Sequence, residues 1–370
     1  MPDTAGAPPR RDDRSRGGAP RSRPSGRDGP LYGALDLGTN NCRLLIARRS
    51  REGFRVVDSF SRIVRLGEGL SRTGSLDPAA MDRAYEALAQ CAERLARRGL
   101  TGGRISAVAT QACRAADNGA DFIERVRKGT GLNLRVIDPK EEARLAVQGC
   151  LNLIDPTAEA VLIIDVGGGS TEMSWLKRDD ESFRTIAWMS APLGVVSLAE
   201  RHPEPDPSGQ NWYEAMVADM AAAVHAGGIE DAALRALFDA GRAHLVGTSG
   251  AITSLAGIHL NLRRYQRDLV DGLWMTSSQC RDAADRLMAM GPRGRAAEPC
   301  IGPDRADLVL AGAAILEAVQ RIWPCERVRV ADRGLREGLL LQRMKQDRKP
   351  RRRRRRGGGR QADGAGAPET

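Results

Sequence analysis

The chain has 370 residues, enough for two domains of ordinary size, and 41% of them are hydrophobic while only 4% are aromatic. No apolar run approaches about 18 residues, the length of a membrane span, and the N-terminus lacks the apolar stretch of a secretory signal. We therefore expect no membrane association. Seven scattered cysteines without a C-x-x-C pair argue against a disulfide framework or a zinc site and favour the cytoplasm.

The net charge of +10 is confined to the two ends of the chain. Residues 1–30 hold seven Arg against four Asp, and residues 345–370 hold ten Lys or Arg against three acids. Both ends are poor in apolar residues, so we predict disordered basic tails. The run Arg351–Arg356 could make weak contact with RNA or polyphosphate, or could only keep the chain soluble. The neutral body between the tails is not a generally basic nucleic-acid binder.

The first part of the body alternates strands with helices. Asp77 and Pro78 form an N-cap and first-turn proline, which predict a helix that Gly99 ends. Apolar runs and helical spacing predict strands over 31–37, 43–48, 105–110 and 134–137, and further helices over 121–128 and 140–150.

The second part repeats this alternation. Strands are predicted over 160–165, 172–176, 185–189, 243–247 and 327–331, with helices near 211–225, 231–240, 276–290, 305–321 and 335–344. Interleaved strands and helices indicate an α/β protein with mostly covered sheets. We divide it into domains at 31–150 and 151–344.

Two segments about 130 residues apart share one plan. Each has an apolar strand, an Asp, one apolar residue and then glycine and hydroxyl residues, in 35–40 (LDLGTN) and 164–171 (IDVGGGST). This spacing is too long for a solenoid repeat. It indicates two similar domains that each offer the same loop to one cleft.

The second of these loops can hold a phosphate. Gly167, Gly168 and Gly169 leave backbone N–H groups open to phosphate oxygens, and Ser170 and Thr171 add hydroxyl donors. The flanking acids Asp165 and Glu172 can ligate a hard cation such as Mg²⁺. The plainer alternative is a tight hairpin whose glycines serve only the turn.

The first loop has the same kinds of residue and could also bind a phosphate, although alone it could be a plain turn. These residues are Asp36, Gly38, Thr39 and Asn40. Its spacing does not match the P-loop of nucleotide triphosphatases. Two facing anion loops could hold a chain of phosphates between them.

Three further positions are candidates. Glu141 and Glu142 open a helix, where acids usually complement the helix dipole, but a carboxylate could also be a general base. Arg114 follows a strand and could clamp a phosphate or simply lie on the surface. Gly250 opens a helix after a strand, either as an anion cradle or as an ordinary turn. The four histidines form no metal or triad pattern.

Taken together, these motifs resemble the exopolyphosphatase / guanosine pentaphosphate phosphohydrolase family of the actin-like ATPase superfamily. The resemblance implies two actin-like (ribonuclease H-like) domains with an interdomain cleft. The matching segments run in family order across roughly 31–344. They are Ala34–Ala47, Ala109–Asn118, Lys140–Arg144, Leu162–Met173, Leu193–Leu198, Gly247–Ala251, Arg305–Leu316 and Ala331–Leu340.

What the resemblance implies is release of a terminal phosphate from polyphosphate or guanosine pentaphosphate, with Mg²⁺ and a water nucleophile. It makes Glu142 the general base, places Asp165 and Glu172 at the metal, and puts Arg43 and Arg114 near the phosphates. Where many relatives read GSNSFR, this chain reads GTNNCR, so Thr39 keeps the hydroxyl while Asn41 and Cys42 could change substrate preference. The chain matches the short two-domain form, from which we expect activity on shorter chains or nucleotides.

Other functions stay open at this stage. An actin-like small-molecule kinase would use the same paired loops. A non-catalytic sensor of guanosine polyphosphates or RNA would bind without releasing phosphate. The sequence does not choose between polyphosphate and guanosine pentaphosphate, and an extended substrate groove could be completed by a homodimer.

Overall fold

Two mixed sheets form the framework of the computed structural model, which describes residues 29–50 and 53–348. The Arg351–Arg356 run and most of both predicted tails lie outside these residues. The first sheet contains β1 (Leu31–Leu37), β2 (Asn41–Ser50), β3 (Gly53–Ile63), β4 (Ile105–Ala109) and β5 (Arg135–Val136). The second contains β6 (Ala160–Val166), β7 (Thr171–Asp179), β8 (Ser182–Ala191), β9 (Ala243–Thr248), β10 (Trp274–Thr276) and β11 (Arg327–Ala331).

The two sheets share one topology. The first has the order β3-β2-β1-β4-β5, and the second, taken from its other edge, has the order β8-β7-β6-β9-β11-β10. In each sheet, the first strand along the chain (β1 or β6) pairs antiparallel with the strand that follows it (β2 or β7). On its other side it pairs parallel with β4 or β9. The α/β fold with two similar sheets is therefore confirmed, and the shared sequence plan marks the same hairpin in both.

Helices cover the sheets and connect their strands. Asp77 caps one of them as predicted and Asp138 caps another, accepting from Ala80 N and Glu141 N, and a proline follows each cap. The helices are α1 (Leu70–Thr73), α2 (Pro78–Arg97), α3 (Gln111–Ala115), α4 (Gly119–Thr130), α5 (Pro139–Cys150), α6 (Val195–Arg201), α7 (Gln210–Ala226), α8 (Ala232–Asp239), α9 (Gly250–His259), α10 (Arg267–Val270), α11 (Ser277–Ala297), α12 (Val309–Ile322) and α13 (Leu335–Arg348).

Several elements do not follow from the sequence patterns. Strand β3 lies at the edge of the first sheet and carries mostly half-buried or exposed residues, so its sequence shows no apolar run. Helix α6 and strand β10 are too short to show a period. Helix α11 contains a break at Gly291, where φ is +64°.

The last helix returns to the first sheet. Leu335, Leu339 and Leu340 of α13 pack with Tyr32, Leu45 and Leu145 in one apolar cluster. Glycine is required where α13 crosses α5, since a Cβ on Gly338 would lie 2.0 Å from Leu145 O. Helix α13 also continues to Arg348, four residues past the predicted domain end at 344. The division at 150/151 stays a prediction.

Two general findings complete the framework. Within the described residues, no helix is long and apolar enough to cross a membrane. All seven cysteines are buried as free thiols, and Cys42 lies 4.0 Å from Cys91, measured between the two Sγ atoms.

Candidate active site

The two glycine-containing turns meet in one cleft. Gly38 N donates to Asn41 O (2.8 Å) in the β1–β2 turn, and Gly167 N donates to Ser170 O (2.9 Å) in the β6–β7 turn. A Cβ on Gly168 would lie 2.8 Å from Thr39 Cβ and 3.1 Å from Asn40 N. Only glycine therefore lets the second turn approach the first this closely.

Most of the predicted site residues line this cleft. They are Asp36, Gly38, Thr39, Asn40, Arg43, Glu142, Asp165, Gly167, Gly168, Gly169, Ser170, Glu172 and Gly250. Thr171 lies outside the lining, because its side chain is fully buried and its hydroxyl donates to Leu193 O at 2.7 Å. Arg114 is also not a lining residue, and instead contacts Glu142 from behind, with its Nη1 atom 3.3 Å from Glu142 Oε2.

The structure separates the two neighbouring glutamates of α5. Glu141 faces outward and pairs with Arg135 and Arg144, and the hydrogen bond from Arg135 lowers its pKa. Glu142 faces the cleft and is only 8% exposed. Its burial, together with the nearby charges of Glu172 and Asp165, raises its pKa well above the usual range, while Arg114 opposes the rise. The helix-dipole interpretation fits Glu141, and the chemistry of a buried base fits Glu142.

Two more acids stand beside Glu142. The Oε1 atom of Glu172 accepts from the hydroxyls of Ser170 and Ser190, each at 2.8 Å, and burial raises its pKa. Burial and the charges of Glu172 and Asp36 raise the pKa of Asp165 to about 7. Acids held this close favour a shared cation or proton.

Three side-chain oxygen atoms at the first turn lack a hydrogen-bond partner. The Oδ1 atoms of Asp36, Asn40 and Asn41 are buried without a hydrogen-bond partner. No group of three or more acids, histidines or cysteines in the described ranges is close enough to hold a metal by itself. Mg²⁺ usually takes one or two carboxylates and completes its shell with phosphate oxygens and water. The oxygen donors here therefore fit a Mg²⁺ ion that binds together with a phosphate.

Part of the cleft lining is basic. The side chains of Arg43, Arg305 and Arg336 form this part, and in residues 29–50 and 53–348 none of the three makes a hydrogen bond or ion pair. Burial and the nearby charge of Arg336 lower the pKa of Arg43. A Cβ on Gly250, the first residue of α9, would lie 3.6 Å from Arg43 Nη2 and 4.0 Å from Arg305 Cζ. Unpaired guanidinium groups beside a helix N-terminus favour an anion.

Sequence comparison now places the chain among known proteins. The profile of the Ppx/GppA phosphatase family matches residues 45–347. The chain belongs to the Ppx/GppA phosphatase family. Exopolyphosphatase 1 of Mycobacterium tuberculosis is 30% identical over 320 residues, which cover 84% of this chain and 88% of the relative.

Solved structures of this family agree with the fold. The Aquifex aeolicus member matches with a TM-score of 0.68 and 26% identity, over 86% of this chain and 99% of its own. An exopolyphosphatase from Cytophaga hutchinsonii matches with a TM-score of 0.75 and 22% identity, over 86% of this chain and 98% of its own, which supports the fold alone.

Some lining residues of this Ppx/GppA chain were not identified as site residues from the sequence. Gln111, Arg305 and Arg336 all line the cleft. Arg336 lies shortly after β11, and the carboxyl ends of β11 and β9 lie side by side where these strands run parallel. Ligand sites often form at such strand ends, so this position could have identified Arg336 from the sequence. Gln111 begins α3, two residues after the end of β4, and its Oε1 atom accepts from the Thr39 hydroxyl at 2.9 Å. Arg305 begins a segment that matches the family, but it lies in the loop before α12 and not in the predicted helix over 305–321, so no local signal places it at the cleft.

Proposed function

We propose that the chain is an exopolyphosphatase that releases the terminal phosphate of inorganic polyphosphate. Its family is one of phosphoanhydride hydrolases. The observation that carries the proposal is the position of Glu142, a buried carboxylate with a raised pKa. It lines the same cleft as the two glycine-containing turns and the three arginines that have no partner in the described residues. A carboxylate whose pKa is raised above its usual range holds a proton more readily, which suits proton removal from water.

Glu142 performs the proton transfer in this proposal. It takes one proton from a water molecule while the water oxygen forms a bond to the terminal phosphorus. The bond from that phosphorus to the bridging oxygen breaks, and the bridging oxygen keeps the electron pair. The products are inorganic phosphate and a chain shorter by one unit. Arg114, on the far side of Glu142, holds the carboxylate in place through the 3.3 Å contact.

The turns and the arginines bind the phosphates. The residues of both turns line one cleft, where the backbone N–H groups of 39–40 and 168–169 would donate to phosphate oxygens and Arg43 would add a charged donor. Asp165 and Glu172 would hold Mg²⁺, with Asp36 as a further oxygen donor. When bound, Mg²⁺ would neutralise phosphate charge in the transition state and offset the repulsion among the acids.

The lining of the cleft favours polyphosphate over a guanosine polyphosphate. Among the described residues that line it, none is aromatic, so no ring offers a stacking surface for a guanine base. The three unpaired arginines suit successive phosphates. The relative in M. tuberculosis is named for the same substrate. Guanosine pentaphosphate remains the second candidate, because it presents a terminal phosphate of the same chemistry.

Phosphate release tests the proposal directly. The purified chain is given polyphosphate or guanosine pentaphosphate with Mg²⁺, and a parallel sample contains EDTA. We expect release that EDTA abolishes and a higher kcat/KM for polyphosphate. Release that is faster from guanosine pentaphosphate would reverse the substrate assignment. Tight binding of either compound by folded protein without release would replace the hydrolase with a sensor, and transfer only to an added acceptor would indicate a kinase.

A further inference from the structure

The segment 64–71, which links β3 to α1, is bonded to the first phosphate turn. Val64 N and Arg65 N both donate to Asn40 O, at 2.9 and 3.1 Å, and Gly67 N donates to Thr39 O at 2.9 Å. Arg65 has a φ of +47°, in the left-handed region that non-glycine residues seldom adopt. The backbone of this segment therefore moves with the first turn.

The Arg65 side chain reaches the second sheet's side of the cleft. Its two Nη atoms contact Asp307 Oδ2 and Oδ1 at 2.8 and 3.0 Å, and Nη2 also donates to Asp304 O at 3.2 Å. Arg305, a lining residue, lies between these two partners in sequence. Fully buried Arg295 donates to Ala306 O at 2.9 Å, so the loop that receives Arg65 is anchored from behind.

A second contact lies a few residues further along the same segment. The carboxylate of Glu200 accepts from Gly69 N and from the Ser71 hydroxyl, both at 2.8 Å. Glu200 belongs to α6, whose Val195 and Val196 N–H groups donate to Gly167 O and Gly168 O at 3.0 and 2.8 Å. The Glu200 contact thus links the first phosphate turn to the helix that supports the second.

We propose that segment 64–71 is a clasp that holds the two phosphate turns in register, with Arg65 and Glu200 as positioning residues for phosphate release. This inference rests on the proposed function. The side chains of Arg65 and Asp307 are 31% and 51% exposed, and exposed pairs change an equilibrium by at most about fivefold. Two contacts that act independently would change it by about 25-fold. The clasp therefore affects how readily the cleft closes and takes no part in the chemical step.

Kinetics of phosphate release test the Arg65 contact. We expect Arg65→Ala and Asp307→Ala each to lower kcat/KM about fivefold, mainly by raising KM, and the double variant to lower it no further. The exchanged pair, Arg65→Asp with Asp307→Arg, should recover most of the loss. Arg65→Ala combined with Glu200→Ala should lose about 25-fold. Additive losses in the Arg65/Asp307 pair, or no recovery in the exchanged pair, would overturn the clasp.

A matched control comes from an ion pair of the same kind that touches only the second sheet's helices. Arg321 contacts Glu214 through both Nη atoms at 2.7 Å, with side-chain exposures of 45% and 39%, and it also bonds Glu317 of its own helix at 2.6 Å. Arg321→Ala should leave kcat/KM within about twofold of the unmodified chain, since it joins α7 to α12 and reaches neither turn. A loss equal to that of Arg65→Ala would show that any such pair has this effect, which contradicts the clasp.

A measurement without substrate separates this proposal from the proposed function. If the unmodified chain releases no phosphate, the proposed function fails, and the clasp is tested by small-angle scattering. The Arg65→Ala, Glu200→Ala double variant should have a larger radius of gyration than the unmodified chain, and Arg321→Ala should not. Equal radii for all three proteins would overturn the clasp whatever the activity.

Discussion

The two hairpins that form the site have the same length and register but opposite charge at one position. In the first, Asp36 lies across from Arg43, and in the second, Asp165 lies across from Glu172. Both turns close with the same bond from the first glycine, to Asn41 O in one and to Ser170 O in the other. The position opposite the aspartate is thus basic in one copy and acidic in the other.

In the proposed function, this single difference gives the two hairpins complementary roles. In the first hairpin burial raises the pKa of Asp36 while the charge of Arg43 opposes the rise, and the Arg43 side chain, which makes no hydrogen bond or ion pair in the described residues, is left for an anion. In the second, burial together with the charges of Glu172 and Asp36 raises the pKa of Asp165 to about 7, and the two facing acids suit a cation and place negative charge beside Glu142. A repeated unit can therefore build both the anion side and the cation side of one phosphate site.

Among changes to the two hairpins, removal of the acid Glu172 from the second should have the largest effect on activity. Glu172→Gln keeps the shape of the side chain but loses its charge, so we expect kcat to fall by about 10²–10³-fold, as when one stabilising group of a transition state is removed. The Mg²⁺ concentration for half-maximal activity should also rise. A Mg²⁺ titration of phosphate release measures both. Glu141→Gln, on the outer face of α5, is the control and should change neither.

Unchanged kcat and unchanged Mg²⁺ dependence in Glu172→Gln would show that the acidic hairpin has no role in catalysis. The complementary division of the two hairpins would then be wrong.

Removal of the basic residue Arg43 from the first hairpin should mainly weaken the binding of polyphosphate. Arg43→Gln loses a charged hydrogen bond to phosphate, for which we expect kcat/KM to fall by about 10–100-fold with most of the change in KM. Steady-state kinetics on polyphosphate provide the test. Arg125→Gln, which removes a surface ion pair with Asp82, should be neutral. A loss in kcat alone would mean that Arg43 acts in the chemical step and not in substrate binding.

The hairpins themselves could be predicted from sequence, because an apolar strand, an aspartate and a glycine turn are local features. Their cross-strand partners could not, since the decisive contrast between Arg43 and Glu172 becomes visible only when the register is known. Glu142 was separable from Glu141 through family resemblance, and the structure adds the physical reason in their different burial.

Contacts between elements that are distant in sequence could not be predicted. Helix α13 was predicted as a helix, but no local signal places it against the first sheet. Arg305 reaches the cleft from a loop that Arg295 anchors, a contact between residues of irregular structure. Thr171 looked like a ligand because it follows the glycines, yet alternation along β7 turns it towards Leu193.

A change in shape tests the contact between the hairpins. Gly168→Ala places a Cβ 2.8 Å from Thr39 Cβ and 3.1 Å from Asn40 N, so the turns must separate. Overpacking of this kind costs about 1–3 kcal/mol, and we expect a loss in kcat/KM of about tenfold. Gly209→Ala has nothing within 4 Å of the new Cβ and should be neutral. Equal activity of the two variants would show that the turns do not need to touch.

The smallest effect on activity is expected at Thr171. Thr171→Val removes the hydroxyl that donates to Leu193 O and leaves that buried acceptor unpaired. The free energy of unfolding should fall by about 1–3 kcal/mol while kcat/KM stays within about twofold. Denaturant unfolding and phosphate release on the same preparation test this. A large rise in KM at unchanged stability would return Thr171 to the phosphate-binding residues.

The central claim is that Glu142 activates the water. Glu142→Gln keeps the size of the side chain and removes its ability to accept a proton. Turnover of polyphosphate should fall by about 10²–10⁴-fold, while the dissociation constant for polyphosphate, measured by titration of the same protein, should stay within about threefold. Turnover close to that of the unmodified chain, with the protein folded and the substrate bound, would remove Glu142 from the mechanism and contradict the account.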